Sequence, residues 1–509
     1  MTSCLPHNER AMTISTSPAL AAVQTRDPLR IAVIGGGFTG LAFVIHVIRA
    51  SQQAPDGVAA PRLQFDLVER SAELGRGMAY STRDPLHRIN VPSDRMSLFG
   101  DDPTHATRWL IEHDSLDPGS TDQSGAHYVS REHYGAYILA TLSDMLAAAG
   151  DRVKLTHWQA NATAIRPRST GYEVPLDTGE VLVAERVALC IGHAPPAPPC
   201  RISEAALRDP GLIVNPWALR AFDSIPSDAS VLIVGTGLTM ADCAVSLLAR
   251  DHRGPITAIS RRGLLAQPHG IFSDAADFLD EAPPPQTARR LLRMLRDRIA
   301  RDENRIGWQP AVDALRFDLR RIWAALPQQE KHRVIQRLLP FWDVHRFRVA
   351  PQVHAALQEA IDSKRIAIET LGIAGIERTD EGLLATLRQA GGKTEQRTFD
   401  RIVFCTGPAR NIAANPLIRS LLDTAQARLD ETGTGIDVDL HSQIRDHDGA
   451  LAPGLFAFGP ITRGTFGEMT GAPDIARHLE NVIRQTGRDI YGTPSPASTA
   501  SAFSEASDS

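Results

Sequence analysis

Two stretches decide the fold. Ile31–Leu41 reads IAVIGGGFTGL, and Val231–Asp242 reads VLIVGTGLTMAD. Each is a short apolar run entering a glycine-rich turn and then an apolar, helix-forming stretch. A second β-rich run, Leu63–Val68, follows the first turn and ends at Glu69. Strand, glycine turn, helix, strand and acid, in that order, make a dinucleotide-binding fingerprint specific rather than incidental. The acid ordinarily lies about 20 residues past the glycines. Here Glu69 lies 29 beyond Gly40, and the turn-rich segment Ser51–Arg62 reads as the insertion that accounts for the excess.

The three glycines have separate duties. The first permits the tight turn, the second lets backbone N–H groups approach a pyrophosphate, and the third allows close strand–helix packing. Gly35, Gly37 and Gly40 fill all three positions. Glu69 can accept hydrogen bonds from a ribose 2′-OH and repels a 2′-phosphate, so this site suits FAD or NAD. The second turn keeps Gly235 and Gly237 but has Met240 third. Only the packing glycine is lost, so the anion site should survive. Its second strand, Ile256–Ile259, ends in Ser260-Arg261-Arg262 rather than an acid. A hydroxyl and two guanidiniums suit a 2′-phosphate, or else form a solvated basic turn.

The rest of the chain is consistent with a two-nucleotide protein. Its 509 residues imply two or more domains. The net charge of −5 gives no reason to expect a nucleic acid partner. No apolar run is long enough to span a bilayer, and no apolar core precedes the small residues of Ser17–Ala22. The five cysteines are widely spaced, with no Cys-x-x-Cys and no metal signature, so a reducing cytoplasm is the expected setting.

Tyr128–Ala149 reads as a helix. Val153–Leu155, Ala162–Arg166, Tyr172–Leu176 and Val181–Val183 read as a small antiparallel excursion. Arg186–Gly192 (RVALCIG) and Arg401–Gly407 (RIVFCTG) read as matching ends of two nucleotide-binding units. The proline-rich turn after His193 reads as a hinge. Thr287–Arg305 is an amphipathic helix with Leu291, Leu292, Leu295 and Ile299 on one side and arginines on a solvated face, and further helices follow from Ala311 to about Leu339.

The expected architecture is α/β, with two Rossmann-like domains and the NAD(P)H domain inserted into a discontinuous FAD domain. The expected boundaries are a disordered N-terminus over 1–28, FAD domain 29–215, NAD(P)H domain with a helical insertion 216–400, FAD return segment 401–492, and a disordered tail 493–509.

Beyond the glycine turns, several stretches are distinctive: ERSAELGRGMAYS, HRINVPSDRMSLF, YVSREHYGAYI, SRRGLLAQPHG, FWDVHRFRVAP and GLFAFGPITRGTFGEMTGAPDI. Together they make residues 30 to 485 resemble the two-Rossmann FAD/NAD(P)-binding flavoproteins, relatives of the N-hydroxylating and Baeyer–Villiger monooxygenases. The resemblance implies FAD at Gly35, Gly37, Gly40 and Glu69, with Gly77, Arg131, Gly192, Gly407, Gly459 and Asp474 also at the cofactors. It implies NADPH, with NADH as an alternative donor, at Gly235, Gly237, Ser260, Arg261 and Arg262. One departure is Pro460, where the wider pattern has Asp after the glycine. Gly467 and Gly471 look small enough to widen a substrate pocket.

The activity so implied is monooxygenation of a small polar substrate by O₂ through a flavin C4a-hydroperoxide. Asn90, His345, Arg346 and Arg463 are the residues expected at the reacting groups, with Arg131, His193 and Thr465 nearby. His345 reads equally as a structural histidine. Urate going to 5-hydroxyisourate is the leading specific expectation. An amino-acid or amine N-oxygenase, and a non-oxygenating NADPH:acceptor reductase, stand as alternatives. Oligomeric state is not legible.

Overall fold

The computed structural model describes residues 27–53, 61–218, 221–270, 278–280, 282–301, 307–409 and 411–491. The expected disordered termini, most of the 51–62 insertion and the end of the predicted Thr287–Arg305 helix fall wholly or largely outside the described residues.

Each glycine turn sits in its own sheet. The first sheet has six strands in the order Gln443–Arg445, Leu451–Ala457, Arg186–Leu189, Leu29–Ile34, Leu63–Val68 and Val153–Trp158. All its pairings are parallel except that between the first two. The second has five parallel strands in the order Ile366–Thr370, Ile256–Ser260, Val231–Val234, Arg401–Phe404 and Leu212–Ile213. Sheets covered on both faces need apolar strands throughout, and Val231–Val234 is buried at every position. The α/β class with two Rossmann-like units is therefore observed.

Three expectations change. Val153–Leu155 does not belong to the antiparallel excursion. It begins a six-residue strand that pairs in parallel with Leu63–Val68, because the helix Arg131–Ala149 supplies the crossover a parallel neighbour requires. The excursion keeps only Arg166–Pro167, Tyr172–Pro175 and Val181–Ala184. Next, Arg401–Phe404 pairs with Val231–Val234, so the strand expected to open the FAD return segment closes the second sheet instead. The same holds upstream of the expected boundary at 216: Leu212–Ile213 pairs with Arg401–Phe404, and Arg201–Ile202 joins the hairpin strand Gly372–Thr379. Each strand went to the sheet with a free edge in register.

The two turns are built alike. Gly35 has φ +108°, and a Cβ there would lie 2.6 Å from the Cys190 carbonyl oxygen. Gly235 has φ +114°, and its Cβ would lie 2.2 Å from the Cys405 carbonyl. RVALCIG and RIVFCTG are thus matching ends, each pressed on its own glycine turn. Burial raises the Cys190 and Cys243 thiols well above the ordinary range, which suits core residues rather than redox centres. Cys243 and Cys405 sulfurs lie 3.4 Å apart in the second unit.

Polar links join the units. Arg131 donates to Asp242 at 2.8 Å, His87 Nε2 meets Ser246 Oγ at 2.8 Å, and Ser246 donates to Asp84 at 2.7 Å. Asp242 and Ser246 lie on the second fingerprint helix, Leu238–Ala249. The expected hinge is also tied down, since Ala409 N donates to the Pro195 carbonyl at 3.3 Å.

Candidate active site

A cavity of about 1400 Å³ runs between the two units. The second glycine turn, Gly235–Thr239, lines it, as do Asn90, Arg131, His193 and Gly407. The return loop contributes Arg463, Gly467, Glu468, Thr470 and Gly471. The helical insertion supplies much of the remaining wall.

The first turn is a closed socket beside this cavity. A Cβ on Gly40 would sit 1.9 Å from the Gly35 carbonyl oxygen, so the third glycine is a packing requirement here. Glu69 accepts from Gly36 N at 3.0 Å and from Ser71 N at 2.9 Å, which holds its carboxylate at the turn. Gly77 faces Gly37, with its Cα 3.3 Å from a Cβ built there. From the return segment, Gly459 packs on Thr39, 2.7 Å from a built Cβ to Oγ1. The helix Phe38–Gln52 begins immediately after Gly37. Open backbone N–H groups at a helix start, a 2′-OH acceptor and no Cβ in the way fit the ADP half of FAD.

The second turn is open. Nothing lies within 4 Å of a Cβ built on Gly237, and Met240 is buried in the core where the first turn has its third glycine. Ser260 Oγ accepts from Thr236 at 2.8 Å and from Gly263 N at 3.0 Å, so it shapes the turn. Arg261 lines the cavity and is exposed. Arg262 does not line it; its guanidinium lies 5.9 Å from the Phe341 ring centroid. Arg388 stands beside Arg261. It lines the cavity, and its Nε and the Arg261 Cγ both lie about 4 Å from a Cβ built on Gly372. Sequence reasoning missed Arg388 because strand pairing across 127 residues, not local spacing, brings it to Arg261. Two exposed guanidiniums beside an open turn fit NADPH.

Several expected site residues turn out to be committed elsewhere. Arg131 is held by Asp242 and lines the cavity from that position. Asp474, in the first turn of the helix Ala472–Tyr491, pairs with Arg316 at 2.6 Å and Arg346 at 2.8 Å. Arg346 also pairs with Glu468 at 2.8 Å. Burial works against the Asp474 charge, but the two guanidiniums outweigh it and hold its carboxyl below the ordinary range. Burial pushes the Glu468 carboxyl up, against Arg346. This cluster of ion pairs clamps the helical insertion to the return loop. Arg346, which also lines the cavity, thus has two carboxylate partners.

His345 lines the cavity, with Nδ1 2.7 Å from the Phe341 carbonyl and its ring edge-on to Trp308. That bond suits the structural reading of His345. Asn90 lines the cavity, and its backbone carbonyl meets His269 Nε2 at 2.8 Å. Arg463 donates to the Thr434 carbonyl at 3.3 Å and faces His193. Burial, then the Arg463 charge, lowers the His193 pKa to about 4, so its ring is neutral near pH 7. Gly192 and Gly407 leave open space around them. Gly467 does not widen the pocket: a Cβ there would lie 2.8 Å from Trp323, whose Nε1 donates to the Gly464 carbonyl at 2.7 Å. The small residue admits the indole instead.

Among the described residues, no cluster could hold a metal ion and no helix is long and apolar enough to cross a membrane.

Residues 32–194 match the model of a family described as FAD-NAD(P)-binding. No curated protein is significantly similar in sequence. Solved structures share the fold over nearly their whole length. L-lysine 6-monooxygenase from Pseudomonas syringae is 16% identical with a TM-score of 0.61, covering 91% of this chain and 99% of its own. The cadaverine monooxygenase of desferrioxamine biosynthesis from Erwinia amylovora is 14% identical with a TM-score of 0.58, covering 92% and 97%. Bacillithiol disulfide reductase from Staphylococcus aureus is 12% identical with a TM-score of 0.52, covering 91% and 99%. At these identities the likeness is one of fold. The chain therefore carries an FAD-NAD(P)-binding segment within a two-unit dinucleotide-binding fold.

Proposed function

We propose that this chain is an NADPH-dependent FAD monooxygenase acting on an amine nitrogen. The observation that carries the reading is the single cavity joining the open second turn to the return loop beside the closed first turn. A hydride donor, a flavin and a substrate can meet only where such a space connects both sites. When bound, FAD supplies the redox and oxygen chemistry, and the chain supplies position and electrostatics.

Gly35, Gly37, Gly40 and Glu69 would hold the flavin nucleotide, with Gly77 and Gly459 closing over it. Gly235, Gly237, Arg261 and Arg388 would hold the coenzyme. Neutral His193 can offer a hydrogen bond without adding a cation near the reacting groups. Arg463 and Asn90 line the same space, while Arg346 and Asp474 hold its walls. The overall reaction balances as R–NH₂ + O₂ + NADPH + H⁺ giving R–NHOH + NADP⁺ + H₂O. An amine substrate is favoured over urate because the fold is shared with lysine and cadaverine monooxygenases, and nothing found supports urate.

A non-oxygenating reductase is the second reading, since the bacillithiol disulfide reductase shares the fold. Anaerobic reduction of the FAD-loaded protein by NADPH, then O₂ with an amine panel, separates the two. The monooxygenase reading expects oxygen uptake coupled to hydroxylamine. Rapid reduction of quinones or disulfides with no hydroxylated product would sink it.

A further inference from the structure

The helical insertion gives the cavity an apolar chamber. Ala288–Ala300, Gln309–Ala325 and Gln328–Arg346 surround it, the last run containing a π-helical turn at Val334–Leu338. Inserted π turns recur at functional sites because they redirect side chains out of helical phase. Leu295, Leu315, Leu319, Trp323, Ile335 and Leu338 all face the cavity. Four of them, Leu295, Leu319, Ile335 and Leu338, are only half-buried although they point inward. Leu295 and Ile335 also pack on the insertion's own core, and the surface the four leave uncovered borders the cavity. Meanwhile Arg289, Arg290 and Arg293 are exposed on the first helix, and Arg296 alone of its arginines reaches the cavity lining.

Where the insertion meets the return loop the chemistry changes. Thr470 Oγ1 is buried with no hydrogen-bond partner, and Glu468 Oε1 accepts no directed hydrogen bond despite its ion pair with Arg346. Both residues line the cavity. The Glu468 and Asp474 carboxyls are already met by Arg316 and Arg346, so the site suits a neutral polar head.

We propose that the substrate is a hydrophobic amine, its alkyl or aryl body in this chamber and its nitrogen at Thr470 and Glu468. The proposal rests on the monooxygenase reading for its chemistry. A short diamine or an amino acid would leave most of the apolar lining of Leu295, Leu315, Leu319, Ile335 and Leu338 uncovered, and so would forgo the burial that the chamber offers. An apolar chamber also lowers the amine's pKa by desolvation, which favours the neutral form whose lone pair attacks oxygen. The nitrogen gains the hydroxyl oxygen from O₂, and the second oxygen leaves as water.

The test uses the FAD-loaded protein without NADPH. n-Alkylamines from butylamine to dodecylamine, with ornithine and cadaverine beside them, are titrated by calorimetry. Affinity is expected to rise about fourfold per methylene until the chamber fills. Flat affinity across chain length, or tighter binding of ornithine or cadaverine, overturns the proposal. Leu319→Trp should cut off the rise at a shorter chain, and Ile335→Asn should flatten it, with melting temperature and FAD content reporting folding. An unaltered chain-length dependence in both folded variants would also overturn it. n-Alkanols of equal length binding as tightly as the amines would remove the nitrogen site. Binding is read without NADPH, so failure of NADPH to bleach the flavin defeats the monooxygenase reading separately.

Discussion

The two glycine turns have the same strand, the same positive φ at the first glycine and the same cysteine carbonyl pressed against it. They differ in what surrounds them. The first is shut by Glu69, Gly77 and Gly459; the second opens into the cavity with nothing near Gly237. A cofactor that stays through many turnovers needs a closed socket, and one exchanged every turnover needs an open one. The difference in closure, more than the motif, separates the two roles.

The largest effect should come from Gly40→Ala. Its Cβ would meet a carbonyl oxygen at 1.9 Å, so helix and turn must separate. We expect a stability loss of more than about 3 kcal/mol and loss of bound FAD, read by melting and flavin absorbance. If FAD is retained at wild-type stability, the first socket is not closed by packing. Asp474→Asn tests the clamp on that closed side. Removing one partner from a buried pair costs about 3–5 kcal/mol, measurable by denaturant titration. The clamp should also weaken in acid. Asp474 titrates below its unfolded value, so its contribution is full above about pH 4 and is lost as pH falls through the native value.

Arg261→Ala and Arg388→Ala should each raise KM for NADPH over NADH by about 1.5–3 kcal/mol in effect, while Arg262→Ala should do less. Equal changes for both coenzymes would strip the second turn of its phosphate role. His193 should contribute a pH slope. The folded ring stays neutral to about pH 4, whereas an unfolded histidine binds a proton below about 6.5. Stability tied to His193 is therefore full above about pH 6.5 and is lost as pH falls toward 4. His193→Asn should remove about 1–2 kcal/mol of that slope, allowing for water in the cavity. The smallest effect belongs to Gly237→Ala. With open space and an ordinary φ, it should cost under about 1 kcal/mol and alter only coenzyme binding.

What was legible in the sequence was what local sterics dictate. Glycines at a turn and an acid at a strand end are fixed by nearby atoms. What was not legible depended on distant pairing. Arg401–Phe404 reads as a buried strand, but which sheet it completes is set by the free edge beside Val231–Val234. Arg388, the Asp242 partner of Arg131 and the Asp474 clamp are likewise products of tertiary packing. The leucine stripe of Ala288–Ala300 was visible. That it borders internal space as well as the core it packs on was not.

The links from Arg131 and His87 to the second fingerprint helix have one more consequence. A clam-shell opening about the Pro195 turn would have to break them together with the Ala409 contact. Coenzyme must then come and go through the mouth of a fixed vessel, and its residence time should depend on the fit of the nucleotide rather than on the swing of a domain.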